Sequence, residues 1–179
     1  MLIEPAQDWL PQLPFDYRLR DVRATTMCEA RKIKSPAFIK PPNDKSFAAK
    51  VYTAPELPTD YADEMPVLVS EIVEWEIEFR CFILDREIRT FSIYLRHGEL
   101  QREAGFSHSA SEEVELLSFM NRLLTDTRIQ LPVATVIDAG IIHGRGWAVI
   151  EQNAAWASGI YGCDPEQVLS VLRRSVLPA

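Results

Sequence analysis

Hydrophobic and polar positions alternate most strictly between residues 75 and 84. Ile77, Phe79, Cys81 and Ile83 fall on one side, and Glu76, Glu78, Arg80 and Phe82 on the other. A period of two predicts a half-buried strand. Residues 88–95 repeat the pattern with Phe91, Ile93 and Leu95, and Asp85, Arg86 and Glu87 join the two segments as a hairpin. Apolar runs predict further strands at 37–40, 47–52, 67–73, 134–142 and 147–153. Pro41 and Pro42 stop the first of these, and the turn 41–46 leads into the second. A helix is expected over 20–33. Another opens at the capping box of Ser109 and Glu112, with Leu116, Leu117, Met120, Leu123 and Leu124 on one face. Asp164 before Pro165 starts a last helix through Leu172. Residues 1–17, with Pro5, Pro11 and Pro14, read as an irregular lead-in, and 53–66 as loop. The layout is α+β and mostly antiparallel, without internal repeats.

Composition adds exclusions. The 179 residues are 47 % hydrophobic and 25 % charged, ordinary for a soluble domain. No apolar run approaches the roughly 18 residues needed to span a bilayer. The N-terminus carries Glu4 and Asp8 but no basic residue before its first apolar positions, so no signal peptide is visible. Cys28, Cys81 and Cys163 form neither a disulfide framework nor a metal pair, and a reducing, cytoplasmic setting is expected. The net charge of −7 is unevenly spread. Nine basic residues against three acids make the stretch 18–50 +6, so the remainder is −13. All five lysines lie between Lys32 and Lys50. Such segregation marks either an anion site or a solvated basic face.

The segment 136–153 carries the sharpest chemistry. With Gly144 and Arg145 as the centre of a two-residue turn, paired residue numbers sum to 289, and Asp138 faces Glu151. Asn153 shares that face. Opposed residues have Cβ atoms about 5 Å apart, where like charges repel by ~3 kcal/mol at an effective dielectric of about 20. Solvent, a proton or a cation must answer this repulsion. Hard oxygen ligands of this kind suit Mg²⁺; the alternative is a solvated polar hairpin face. A one-residue slip in register would undo the arrangement. His143, at the turn, is either a ligand or a solvent-exposed residue.

Lys40 ends an apolar strand and is anchored on rigid scaffold. If that strand pairs with the next, Lys40 and Lys50 aim at one anion, and Lys45 and Ser46 on the connecting turn can cover a phosphate. Glu71, Glu74, Glu76 and Glu78 crowd a stretch with no basic residue from Val51 to Phe79. A carboxylate there can accept from ribose hydroxyls, and Arg80 can bind a phosphate bidentately. The alternative is an exposed face on which Glu78 pairs with Arg80.

The ordered set Phe38-Ile39-Lys40-Pro41, Val69-Ser70-Glu71-Ile72-Val73, Glu78-Phe79-Arg80-Cys81-Phe82, Asp138 and Glu151-Gln152-Asn153 resembles the ATP-grasp superfamily over roughly residues 20–175. The stretches 38–47, 74–82 and 151–164 are similar to a small clade of bacterial and phage members. The resemblance implies two small α+β subdomains gripping ATP between mostly antiparallel sheets: 20–73 and 74–179, after a lead-in or remnant of a preceding domain at 1–19. It implies that Lys40 holds the phosphates, that Glu71, Ile72 and Val73 form the hinge reading adenine, and that Glu78 binds ribose. Arg80 would face the transferred phosphate, and Asp138, Glu151 and Asn153 would bind Mg²⁺. Three departures stand out. The phosphate-covering turn lacks glycine, no arginine stands just before Asp138, and most of the usual N-terminal domain is missing. The last suggests a truncation, a completing partner or a minimal enzyme.

The favoured expectation is an ATP- and Mg²⁺-dependent ligase. It would activate a small-molecule or peptide carboxylate as an acyl phosphate for an amine, with residues 154–162 as the acceptor surface. One rival is a catalytically silent ATP-binding module acting through a protein partner or a homo-oligomer. A nucleic-acid-associated protein using the basic stretch is the weaker rival, since the −13 remainder opposes it.

Overall fold

A computed structural model of the chain describes residues 1–176. Two short helices open it: α1 (Trp9–Gln12) and α2 (Phe15–Arg18). Then follow β1 (Val22–Thr26), α3 (Met27–Ala30), β2 (Ala37–Lys40), β3 (Lys50–Tyr52), β4 (Pro66–Ser70), β5 (Trp75–Leu84), β6 (Glu87–Arg96) and β7 (Glu99–Leu100). The chain closes with α4 (Ala110–Thr125), β8 (Ala134–Ile142), β9 (Gly146–Asn153) and α5 (Pro165–Leu172). The strands form two antiparallel sheets, in orders β1-β4-β2-β3 and β7-β6-β5-β8-β9. Together they make an α+β fold. No helix among the described residues is long and apolar enough to cross a membrane.

The helix expected over 20–33 is mostly strand. Val22 to Thr26 pair with β4, where the β-branched Thr25 and Thr26 suit a pleated edge. Helix begins only at Met27, because the Thr26 side chain accepts from the Glu29 amide. The lead-in is ordered rather than irregular. Trp9, Leu10, Leu13 and Tyr17 enter the main core beside Leu116, Phe119, Met120 and Leu123 of α4. Trp9 Nε1 donates to the Gln130 carbonyl at 2.8 Å. In α4, Leu117 is exposed and Phe119 takes the inward place expected for it. The strand expected over 47–52 narrows to Lys50–Tyr52.

Alternate residues of the large sheet serve different neighbours. Phe79, Cys81, Ile83, Ile137 and Ala139 face the main core. Phe82, Leu84, Ala134 and Val136 face α5 through Val168 and Val171. Glu78, Arg80, Asp138 and Gly140, further along that second face, are left for a cleft against the small sheet. The small sheet has its own core of Met27, Ile39, Phe47, Tyr52, Val67 and Val69.

This packing is open to two tests. Trp9→Ala should lower the unfolding free energy by about 3 kcal/mol or more in urea titration, the range for a buried large aromatic; a change near zero would mean the lead-in is not part of the core. The capping box of α4 is also pH-dependent. Arg96, then the Ser109 amide and hydroxyl, hold Glu112 down to about 2 from an ordinary 4.5 against its partial burial. A carboxyl depressed in the fold contributes stability above its unfolded pKa and loses it as pH falls through the folded one. The stability difference between wild type and Glu112→Gln should therefore shrink as pH falls from about 5 toward 2.

Candidate functional site

Where the two sheets face each other lies a cavity of about 250 Å³. Its apolar walls include Val22, Phe38, Val51, Leu68, Trp75 and Ile150, and its polar groups include Lys40, Glu71, Glu78, Tyr94 and Glu151. At Lys40 and Glu151 it meets a wider groove of about 1140 Å³, bordered by Lys45, Ser46, Asn153, Trp156 and Ser158. Lys40, from the end of β2, forms an ion pair with Glu151 of β9 at this junction. The contact joins the two sheets across 111 residues of chain.

The expected pairing of Asp138 with Glu151 is present, by an unexpected route. The turn has three residues, His143, Gly144 and Arg145, so Ile142 pairs with Gly146 and residue numbers sum to 288 as far as Ala139 and Val149. An extra residue, Ile150, then bulges from β9, and the sum becomes 289. The shorter register near the turn and the bulge cancel at Asp138.

Asp138 has no exposed surface, and Arg80 grips both its oxygens, at 2.9 and 2.7 Å. Burial pushes the Asp138 carboxyl up to about 6, against the pull of Arg80. Burial also raises Glu151, but Lys40 and the Asn153 amide outweigh it and hold Glu151 below its ordinary value. Asn153 Nδ2 lies 2.9 Å from Glu151 Oε1 and 3.3 Å from Asp138 Oδ2. Two carboxylates are thus matched by two internal cations, with an amide between them.

Arg80 is not paired with Glu78. It is 8 % exposed, donates a third bond to the Gly159 carbonyl at 3.1 Å, and lies over the rings of Tyr94 and Tyr161. Glu78 instead accepts from Tyr94 at 2.8 Å, and burial raises its pKa. The hinge candidates line the cavity. The Glu71 carboxylate turns away to Arg145, and its own amide donates to Asp21, so only its carbonyl region is available. Ile72 and Val73 form no backbone hydrogen bond among the described residues. Lys45 borders the wider groove. Lys50 does not join Lys40: it pairs with Ile39, on the opposite face of the small sheet, with Nζ over the Tyr52 ring. Adjacent register positions hold the two lysines, and the period of two separates them. His143 is exposed and hydrogen-bonds Glu76 at 2.7 Å.

The residues suit Mg²⁺ chemically. Asp138, Glu151 and Asn153 bring hard oxygen donors to one patch, and a turned Asn153 amide would present oxygen in place of its donor. Glu151 is the accessible member, whereas Asp138 is held by Arg80. Among the described residues no three His, Cys, Asp or Glu side chains cluster as a metal site, so the amide is an integral part of this donor set.

Sequence reasoning missed Arg20, Trp75, Tyr94 and Tyr161. Tyr94 is the extra residue of a second bulge, between the Glu78–Leu95 and Phe79–Ile93 pairs. Strict alternation carries no signal for such a residue.

Comparison with known proteins agrees with this geometry. A family model described as an ATP-grasp domain, the second family of its clade, matches residues 17–171. No curated protein sequence matches the chain. Among solved structures, D-alanine–D-alanine ligase from Bacillus anthracis complexed with ATP aligns with a TM-score of 0.52 at 18 % identity, over 87 % of this chain and 60 % of that one. The ATP-grasp ligase PsnB complexed with a minimal precursor aligns with a TM-score of 0.51 at 13 % identity, over 89 % of this chain and 56 % of that one. The chain therefore spans little more than half the length of these ligases, and the likeness is one of fold. With two sheets enclosing a lysine–carboxylate junction, and a family model covering most of the sequence, this chain belongs to the ATP-grasp superfamily, in the clade family whose model it matches.

Proposed function

We propose that the chain is the ATP-binding and reacting core of an ATP- and Mg²⁺-dependent ligase that joins a carboxylate to an amine. The observation that carries this reading is the Lys40–Glu151 pair at the junction of cavity and groove. Without ligand, the two charges satisfy each other. A triphosphate offers Lys40 a better-matched anion, and Glu151 is then left to a cation. Mg²⁺ held by Glu151, Asn153 and Asp138 would neutralise phosphate charge.

In this reading adenine lies in the apolar cavity beside the unpaired backbone groups of Ile72 and Val73. Glu78, oriented by Tyr94, accepts from the ribose. Lys45 covers the phosphates from the wider groove. Lys50, facing away, is left out. A substrate carboxylate oxygen attacks the γ-phosphorus, the bond to the β-phosphate oxygen breaks, and ADP leaves. An amine then attacks the acyl carbon, phosphate departs, and the amine loses a proton as the amide forms. The protein's contribution is alignment and charge neutralisation. Arg80 takes a positioning role here, because its donors hold Asp138 and the Gly159 loop instead of facing a phosphate. Trp156 and Ser158 border the acceptor side of the groove.

One observation favours a silent ATP-binding module acting through a partner. Asn43, in the glycine-free phosphate-covering turn, is tied to the Pro5 carbonyl at 2.7 Å, which restrains closure over phosphates.

Calorimetry with ATP and Mg²⁺ separates the cases. Lys40→Met should weaken Mg-ATP binding by about tenfold or more, worth at least ~1.4 kcal/mol. Glu151→Gln should remove the Mg²⁺-dependent part of affinity and abolish ADP formation with candidate carboxylates and amines. Unchanged turnover in Glu151→Gln would contradict the metal assignment. Tight binding without ADP formation under every substrate mixture would select the silent module.

A further inference from the structure

We propose that Arg20 is a positioning residue that holds the β9 bulge and thereby turns Glu151 into the cleft. The inference rests on the reading of Glu151 given above. Continued without the bulge, the register of 288 would set Asp138 opposite Ile150 and Glu151 opposite Ile137. Ile137 belongs to the main core, so Glu151 would point away from Lys40 and Asp138. One extra residue is therefore what creates the carboxylate pair.

A bulge disrupts the local ladder and needs its own hydrogen-bond partners. β9 is the outer strand of its sheet, so carbonyls on its free side have no strand to meet. Arg20 supplies the donors. It is 5 % exposed, and Nη1 donates to the Val149 carbonyl at 2.7 Å while Nη2 donates to the Ile150 carbonyl at 2.9 Å. These are the two carbonyls flanking the register change. Nη1 also reaches the Arg18 carbonyl at 3.1 Å, and the guanidinium lies over the Trp75 ring. Arg20 sits between α2 and β1, so the clamp ties the start of the small sheet to the edge of the large one. A planar fork can bridge two adjacent carbonyls, and a lysine ammonium cannot reproduce that geometry.

Arg20 also borders the nucleotide cavity, so direct contact with nucleotide is the competing role. The full chain with Arg20→Ala, and separately Arg20→Lys, distinguishes them by two readouts. The first is ADP affinity with and without Mg²⁺, measured by calorimetry. The second is the backbone amide and Cα resonances of Val149, Ile150 and Glu151. Positioning predicts that the Mg²⁺-dependent gain falls by about tenfold or more, as for loss of an outer-shell partner, while metal-free ADP affinity moves by less than about threefold. The three residues' resonances should shift, and methylguanidine added to Arg20→Ala should restore both readouts where methylammonium does not. Unchanged resonances, or a loss carried wholly by metal-free affinity, would overturn the proposal. If wild type shows no Mg²⁺-dependent gain, the ligase reading fails, and the resonances with guanidinium rescue decide the clamp alone. If Arg20→Ala does not fold, Arg20→Lys gives the same two readouts.

Discussion

Two carboxylates on neighbouring strands, one of them without solvent access, set the central constraint on this molecule. Asp138 and Glu151 face each other across β8 and β9. Their repulsion has to be answered inside the protein, since water reaches only Glu151. Arg80 answers Asp138 from the neighbouring strand β5, and Lys40 answers Glu151 from the other sheet. The two answers differ in kind. The Arg80 pair is bidentate, buried and fixed by further contacts to Gly159 and two tyrosines. The Lys40 pair uses a single flexible ammonium at the mouth of a groove. A structure built this way keeps one carboxylate locked and leaves the other exchangeable.

That asymmetry links fold to proposed chemistry. The exchangeable pair is also a bond that crosses between the sheets, so ligand binding and the relative placement of the sheets are coupled through one contact. The rest of the cleft is arranged around it. Apolar walls suit a base, the unpaired backbone at Ile72 and Val73 suits its edge, and Glu78 stands between base and phosphates. The ordered lead-in contributes to both sides. Its Trp9 and Leu10 stabilise the large sheet, and its Pro5 carbonyl holds the loop after Lys40.

Much of this was legible in the sequence where a period or a cap is local. The alternation of 75–84, the capping box of α4 and the Asp164–Pro165 start all appear as expected. The order of Lys40, Glu78, Asp138 and Glu151 was enough to bring the right groups together. What was not legible depends on tertiary pairing. The strand at Val22–Thr26 exists because β4 lies beside it, although the Thr26-to-Glu29 cap was a local sign that helix starts later. Lys50 was placed beside Lys40 because proximity outweighed the period of two in that reading. The bulges at Tyr94 and Ile150 are invisible to alternation, and the correct pairing of Asp138 with Glu151 came from a wrong turn length that the second bulge offset.

The central claim is that Mg-ATP replaces the Lys40–Glu151 pair. A crystal structure of the chain with a non-hydrolysable ATP analogue and Mg²⁺ tests it most directly. The account predicts adenine beside Ile72 and Val73, Lys40 on the phosphates, and Glu151 released to the metal. A nucleotide bound elsewhere, or bound in the cleft with the Lys40–Glu151 pair intact, would contradict it.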